Sequence, residues 1–142
     1  MKWYAIVPLT LAVVAVAIPW LMARVPEIGF ALQRGFSLVC HQRATRSFFL
    51  FGGSIAVCAR CLGIYLGAAV GLLLRVPRRV AWKWLITVGG LNLVDWAAQL
   101  TGLHGNWMFA RLTLGIALGV AAAMLVAASI DRVNVLTQAK VA

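Results

Sequence analysis

All three cysteines of the chain lie within 22 residues, and a histidine directly follows the first of them. A free cysteine is often only a small buried hydrophobic residue, but random burial would scatter cysteines over all the apolar segments. The last two, Cys58 and Cys61, form a C-x-x-C motif, which at the start of a helix places both sulfurs within one turn. The helix N-terminus and the intervening Arg60 favour the thiolate form. Because thiolates serve both metal binding and redox exchange, the cluster indicates a site of one of these kinds.

The residue types of this cluster match a metal site. Three sulfurs and one imidazole make up the Cys₃His set of tetrahedral zinc centres. We therefore predict zinc as the cofactor, held by Cys40, His41, Cys58 and Cys61. The neighbours Cys40 and His41 can share one ion only if the backbone bends there. In the alternative, His41 orients a ligand or carries protons, which leaves one coordination position open.

A redox function is the first alternative to the metal site. A C-x-x-C motif at the outer end of a membrane helix resembles the quinone-coupled disulfide oxidases of bacterial inner membranes, and that resemblance implies a thiol-disulfide or quinone-linked redox protein. Those proteins pass electrons through a second cysteine pair, whereas this chain has only Cys40 left over. A second alternative is a non-enzymatic subunit of a membrane complex, or a carrier of lipids or small molecules.

Polar residues in two apolar segments form a second group of candidates. Asn92, Asp95 and Gln99 recur at steps of three and four residues, which makes a polar stripe on a helix. An ionisable group costs at least ~2.5 kcal/mol at the centre of a bilayer, so this stripe must face protein or water. Asp95 lies at a similar depth to Arg111 on the next helix, which predicts a salt bridge that is either catalytic or only fixes the helix register. The candidate catalytic residues are Asp95, Arg111 and Arg60, and Arg60 is the alternative partner of Asp95.

Three further residues are predicted to have no chemical role. Trp96 is expected to pack internally, and Tyr65, one turn after Cys61, is expected to be a packing residue. His104 lies in a short connection, where a lone histidine is usually solvated.

The composition identifies a membrane protein. Of the 142 residues, 63% are hydrophobic and 11% are charged, with a mean hydropathy of +0.95, whereas a soluble domain has roughly 25% charged residues. The net charge of +10 would suit nucleic acid binding, but the basic residues lie between apolar segments rather than on one solvated face. We therefore expect no nucleic acid partner and assign the charge to membrane topology.

Four apolar segments approach the ~20 residues that a helix needs to cross a ~30 Å hydrocarbon core. They cover about residues 3–22, 57–74, 80–100 and 107–130. The long connection between the first two, residues 23–56, is called the motif loop below. We predict an all-α integral membrane protein in which residues 1–142 form a single domain, a four-helix transmembrane bundle with an ordered loop outside the membrane.

The motif loop carries signs of local order. From Pro26 to Val39, apolar residues recur with helical spacing, as in a helix that lies at the membrane interface. Further on, Gly52-Gly53 separates the apolar runs 48–51 and 54–57. This pattern predicts either a hairpin with a two-residue turn or a short dip of apolar residues into the membrane.

The distribution of basic residues predicts the orientation in the membrane. Four of them fall within nine residues of the second connection: Arg75, Arg78, Arg79 and Lys83. Short loops dense in Lys and Arg are usually cytoplasmic, and an even number of spans places both termini on that side. We expect a multi-pass protein of the inner (plasma) membrane, with cytoplasmic termini, the motif loop on the opposite face, and the lipid bilayer as its partner.

Small residues recur at four-residue spacing on two of the predicted helices: Gly63, Gly67 and Gly71 on the second, and Gly115 and Gly119 on the fourth. Such faces let helix backbones approach closely in membranes. They predict tight packing of the bundle, self-association, or contact with other membrane subunits.

The motifs together resemble a known family. Its signature is carried by Cys40-His41-Gln42, Arg46-Ser47-Phe48, and Cys58-Ala59-Arg60-Cys61 with Gly63-Ile64-Tyr65 and Gly67. In these residues the chain is similar to a family of small prokaryotic predicted membrane proteins of unknown function. The likeness extends over roughly the last hundred residues, through Asp95, Gln99, Asn106, Arg111, Gly115 and Gly119. The resemblance implies that these positions form one module, and it supplies no reaction, cofactor or substrate.

Overall fold

The computed structural model describes residues 3–102, 105 and 107–141, with side chains described from 4 to 131 within those ranges. The chain is mostly helical. Five α-helices and one two-stranded hairpin follow each other in the described residues, in the order α1 (Ile6–Arg24), α2 (Pro26–Phe36), β1 (Phe49–Leu50), β2 (Gly53–Ser54), α3 (Ala59–Gly71), α4 (Arg78–Leu100) and α5 (Met108–Val141). Two single-turn 3-10 helices, Trp3–Ala5 and Ala44–Arg46, precede α1 and β1.

Two of these helices are long and apolar enough to cross a membrane. They are α1 and the Met108–Asp131 part of α5. Helix α3 is apolar but has 13 residues, which at 1.5 Å per residue makes ~20 Å, short of a ~30 Å hydrocarbon core. Helices therefore lie in all four segments predicted to span the membrane, and two of them have the length and apolarity of a span.

The packing of α3 on α5 is the most extensive contact between helices, and α4 packs on another side of α5. The two glycine stripes meet at the α3–α5 contact. A Cβ atom added at Gly67 would collide with the carbonyl oxygen of Ile116, and one at Gly115 would collide with the backbone of Arg60. The predicted close approach of helix backbones thus lies within the chain, and it brings the start of α3 against the start of α5.

The motif loop is ordered, as predicted. Helix α2 begins with Pro26 at its first position, where the missing N–H of proline costs nothing. The hairpin pairs Phe49 with Ser54 and Leu50 with Gly53. Its turn therefore consists of Phe51 and Gly52, which both have positive φ angles, 52° and 81°. The predicted turn, Gly52-Gly53, was wrong by one residue, and these two positive φ angles are typical of the hairpin turns that match strand twist.

A buried segment connects the hairpin to α3. Ile55, Ala56 and Val57 are at most 1% exposed and belong to one core with Ala15 and Ile18 of α1. The Ala56 N–H donates a hydrogen bond to the Ala15 carbonyl at 3.2 Å. Residues 55–57 are therefore apolar because they pack on α1 as a non-helical connection, which fixes the position of Cys58 at the start of α3.

Candidate functional site

The three cysteine sulfurs converge at the N-terminus of α3. The Sγ atoms of Cys40, Cys58 and Cys61 all lie within 4.8 Å of one another. Cys58 is the N-cap residue of α3 and Cys61 lies in the first turn. Cys40 is brought to them by the turn after α2, in which its N–H donates to the Phe36 carbonyl at 3.0 Å. Two segments separated by the hairpin thus place three sulfurs at one point.

Hydrogen bonds tie the cysteines together at the start of α3. The Cys58 N–H donates a hydrogen bond to the Cys40 sulfur at 3.2 Å. The Cys61 thiol donates to the Cys58 sulfur, and this bond lowers the pKa of Cys58 to about 5 against the opposing effect of burial. All three cysteines are free thiols, with Cys40 buried. The hydrogen bonding of the cluster therefore favours the ionised form at Cys58.

His41 lies beside the sulfurs but is not one of the group. The potential ligand atoms that lie mutually within 4.8 Å, among the described residues, are the three sulfurs alone. His41 is exposed and lines the neighbouring cavity. The backbone bends one residue later, at Gln42, whose φ is 48° and whose side-chain amide donates to the Gln33 carbonyl at 2.6 Å. Gln42 thus holds the segment that follows α2 against α2, and His41 lies at the cavity.

Asp95 forms its salt bridge with Arg60, not with Arg111. The Arg60 guanidinium donates through Nη2 to Asp95 Oδ2, and the Gln99 amide, one turn along α4, donates to the same oxygen at 2.7 Å. The predicted Asp95–Arg111 pair was therefore wrong. Matched depth on neighbouring helices did not decide between two arginines that the α3–α5 contact brings to the same end of the molecule.

Arg111 occupies an unusual position on α5. It is only 5% exposed, on the face that carries Gly115 toward α3. Its Nε is buried and has no hydrogen-bond partner in the part of the chain that the structure describes, and the same holds for the Nε of Arg60.

A cavity of about 430 Å³ joins these groups. Seven residues that the sequence singled out as candidates line it: Cys40, His41, Cys58, Arg60, Cys61, Gln99 and Arg111. Asp95 belongs to the site through its contacts with Arg60 and Gln99. The cysteine cluster and the polar groups of α4 and α5 thus meet in one place.

No role in the site was predicted for the other six residues of the cavity wall: Val39, Gln42, Arg43, Arg46, Trp96 and Leu100. Trp96 was expected to pack internally, but it is 50% exposed. Arg43 and Arg46 belong to the basic run that follows Cys40-His41. The charge of this run was predicted to reflect membrane topology alone. Tyr65 packs edge-on against Phe36, with ring centroids 6.5 Å apart, as expected. His104 and Asn106 lie outside the described residues.

Comparison with known proteins places these residues in a family. A family model described as "Predicted membrane protein (DUF2085)" matches residues 40–125. An uncharacterized protein of Methanocaldococcus jannaschii is 36% identical over 103 residues, which cover 65% of this chain and 64% of the relative. An uncharacterized protein of Methanothermobacter thermautotrophicus is 32% identical over 95 residues, which cover 63% of this chain and 86% of the relative.

The chain thus spans about 64% of the length of the first of these relatives. No solved structure matches it. The family match begins at Cys40 and runs past Arg111, so it includes every cysteine, the Arg60–Asp95 salt bridge and the contact between α3 and α5. The chain belongs to the DUF2085 family of predicted membrane proteins.

Proposed function

We propose that this membrane protein binds one zinc ion through Cys40, Cys58 and Cys61. The observation that carries the proposal is the convergence of the three sulfurs within 4.8 Å of one another. A redox pair needs two sulfurs, whereas a metal explains why a third, from a distant segment, joins them. Zinc is the metal of choice because thiolate ligands suit it and disfavour Mg²⁺, Ca²⁺ and Mn²⁺.

The proposed zinc keeps its fourth coordination position toward the cavity. Catalytic zinc sites have three protein ligands and one open position, whereas structural sites have four. His41 is exposed at the cavity, outside the group of sulfurs, so in our proposal it acts on a ligand of the zinc rather than on the zinc itself. The ion would then serve as a Lewis acid for an oxygen ligand bound among the arginines.

In the membrane, we propose that all four helices α1, α3, α4 and α5 are embedded and that the cavity opens at the face away from the cytoplasm. Support comes from the outer surface of α4, where Ile86, Leu93 and Val94 are each more than 60% exposed. Contiguous exposed apolar surface of this kind needs lipid or another protein against it. The protein would then be a multi-pass protein of the inner (plasma) membrane with cytoplasmic termini.

The zinc proposal is tested by metal analysis of the purified protein together with thiol titration. We expect one zinc per chain, and loss of most of that zinc in both Cys58→Ser and Cys61→Ser. Tyr65→Phe is the matched control, since it changes a neighbouring packing residue without removing a ligand, and should keep the metal. His41→Ala should also keep most of the zinc.

Two results would contradict the zinc proposal. Three freely reactive thiols without any metal would show that the protein has no metal site. A disulfide between Cys58 and Cys61 in the native protein would favour the redox alternative. Loss of zinc in His41→Ala equal to that in the cysteine variants would restore His41 as the fourth ligand.

A further inference from the structure

Arg111 is a buried cation in need of a counter-charge. It is 5% exposed, and its Nε has no hydrogen-bond partner within the described ranges. A buried charge is costly unless it is paired and hydrogen-bonded. The described contacts therefore do not offset the free-energy cost of burying the Arg111 charge.

The protein itself holds no spare anion for Arg111. The chain has three acidic side chains. Asp95 is shared by Arg60 and Gln99. Glu27 lies in the first turn of α2, and Asp131 lies 20 residues further along α5, which is ~30 Å from Arg111 in a helix. Beyond Asp95 and the cysteine sulfurs, any further counter-charge for Arg111 must come from a ligand.

The charges around the cavity indicate the charge and the chemical class of the ligand. Four guanidinium groups line it, those of Arg43, Arg46, Arg60 and Arg111. Opposite them stand the Asp95 carboxylate, paired with Arg60, and the proposed zinc with three thiolates, which carries one negative charge. Two positive charges remain. They match a dianion, and guanidinium groups bind phosphate oxygens with two parallel hydrogen bonds.

We propose that the cavity binds a phosphoryl group between Arg111 and Arg46, next to the cysteine cluster. The cavity of about 430 Å³ lies in the size range of small-molecule sites, about 300–1,000 Å³, which leaves room for an organic group attached to the phosphate. The half-exposed ring of Trp96 offers that group an apolar wall. The charge match rests on the proposed zinc function, whereas the unpaired Arg111 does not.

The test uses inorganic phosphate as the probe, titrated into the purified full chain in a neutral detergent and measured by calorimetry. Phosphate should bind in preference to acetate. Arg111→Met, which keeps the length of the side chain but not its charge, should weaken phosphate binding at least tenfold. Arg75→Gln removes an exposed arginine outside this cavity and should change the affinity by less than twofold.

Stability separates a binding role of Arg111 from a structural one. If Arg111 exists for a ligand, Arg111→Met in phosphate-free buffer should melt at the same temperature as the natural protein or higher, because an unpaired buried charge has been removed. A lower melting temperature together with unchanged phosphate affinity would overturn the proposal. Absence of phosphate binding in the zinc-loaded natural protein, with or without phosphate lipids, would also overturn it.

The source of the phosphoryl group is decided by reconstitution in nanodiscs. If phosphatidic acid discs abolish binding of inorganic phosphate and phosphatidylcholine discs do not, the ligand is a lipid headgroup. If both kinds of disc leave phosphate binding intact, the ligand is soluble, and either result supports the site. Metal content is measured on the same samples, so phosphate binding without zinc would reject the zinc proposal alone, and zinc without phosphate binding in both neutral detergent and phosphatidylcholine discs would reject this inference alone.

Discussion

At the scale of single residues, the site combines three buried or half-buried sulfurs with arginines that outnumber the acids. The sequence was sufficient to identify the cysteines, because their confinement to 22 residues has no explanation in core packing. The sequence was not sufficient to identify the salt-bridge partner of Asp95. Helix register gives the depth of a side chain, but Arg60 and Arg111 share one depth, and only the three-dimensional contact of α3 with α5 decides which guanidinium reaches the carboxylate.

A double-mutant cycle on the free energy of unfolding tests the pairing. Asp95→Asn and Arg60→Gln should each destabilise the protein by about 1–3 kcal/mol. This range lies below the ~3–5 kcal/mol of a fully buried pair, because the Arg60 and Asp95 side chains are 21% and 10% exposed. The double variant should recover part of the loss, with a coupling energy of at least ~0.5 kcal/mol.

The matched cycle replaces Arg60→Gln with Arg111→Met. There the effects of the two substitutions should be additive within about 0.5 kcal/mol. Strong coupling of Asp95 to Arg111, together with additivity for Arg60, would show that the assignment of the salt bridge is wrong.

At the scale of elements, α3 and α5 act as one unit because their glycines allow backbone contact. Four-residue glycine spacing predicted a tight helix contact, and the structure shows it between two segments of one chain. The predicted turn of the hairpin lies one residue too late. Gly52-Gly53 is a typical turn sequence, but the pairing of Phe49 with Ser54 places the turn at Phe51 and Gly52, and Phe51 adopts a positive φ. The start of α3 also lies later than predicted, at Ala59, since the apolar residues 55–57 are not helical.

Substitution of single glycines measures the importance of the helix contact. Gly67→Ala should destabilise the protein by about 1–3 kcal/mol, because its Cβ would overlap the Ile116 backbone. Gly89→Ala on α4 is the control. An added Cβ meets nothing within 4 Å there, so the better helix propensity of alanine should stabilise by up to ~1 kcal/mol. Equal effects at both positions, measured by denaturant unfolding in micelles, would contradict close packing of α3 on α5.

At the scale of the whole molecule, composition alone sufficed to predict a membrane protein of helices. Composition and hydropathy do not determine the number of membrane spans, because hydropathy does not distinguish a segment buried in protein from one buried in lipid. The predicted second span, residues 57–74, exceeds α3 at both ends: Val57 packs on α1 before the helix begins, and the helix ends at Gly71. The basic residues fall into two groups, since those near Lys83 are the basis of the proposed topology while Arg46 and Arg111 belong to the cavity.

The proposed orientation is tested with reporter fusions after Gly53 and after Pro77. Alkaline phosphatase should be active after Gly53, and green fluorescent protein should fluoresce after Pro77, because the basic connection at 75–83 is expected to remain in the cytoplasm. Fluorescence after Gly53 would reverse the orientation and place the cysteines in a reducing compartment, where zinc binding is favoured further over a disulfide.

The central claim is that three cysteine sulfurs hold zinc beside a cavity, and X-ray absorption at the zinc edge of the purified protein tests it most directly. The site predicts three sulfur atoms at about 2.3 Å from zinc and one oxygen or nitrogen atom at about 2.0–2.2 Å. In Cys58→Ser the number of sulfur neighbours should fall. A spectrum with only oxygen and nitrogen neighbours, or one unaffected by loss of Cys58, would contradict the account.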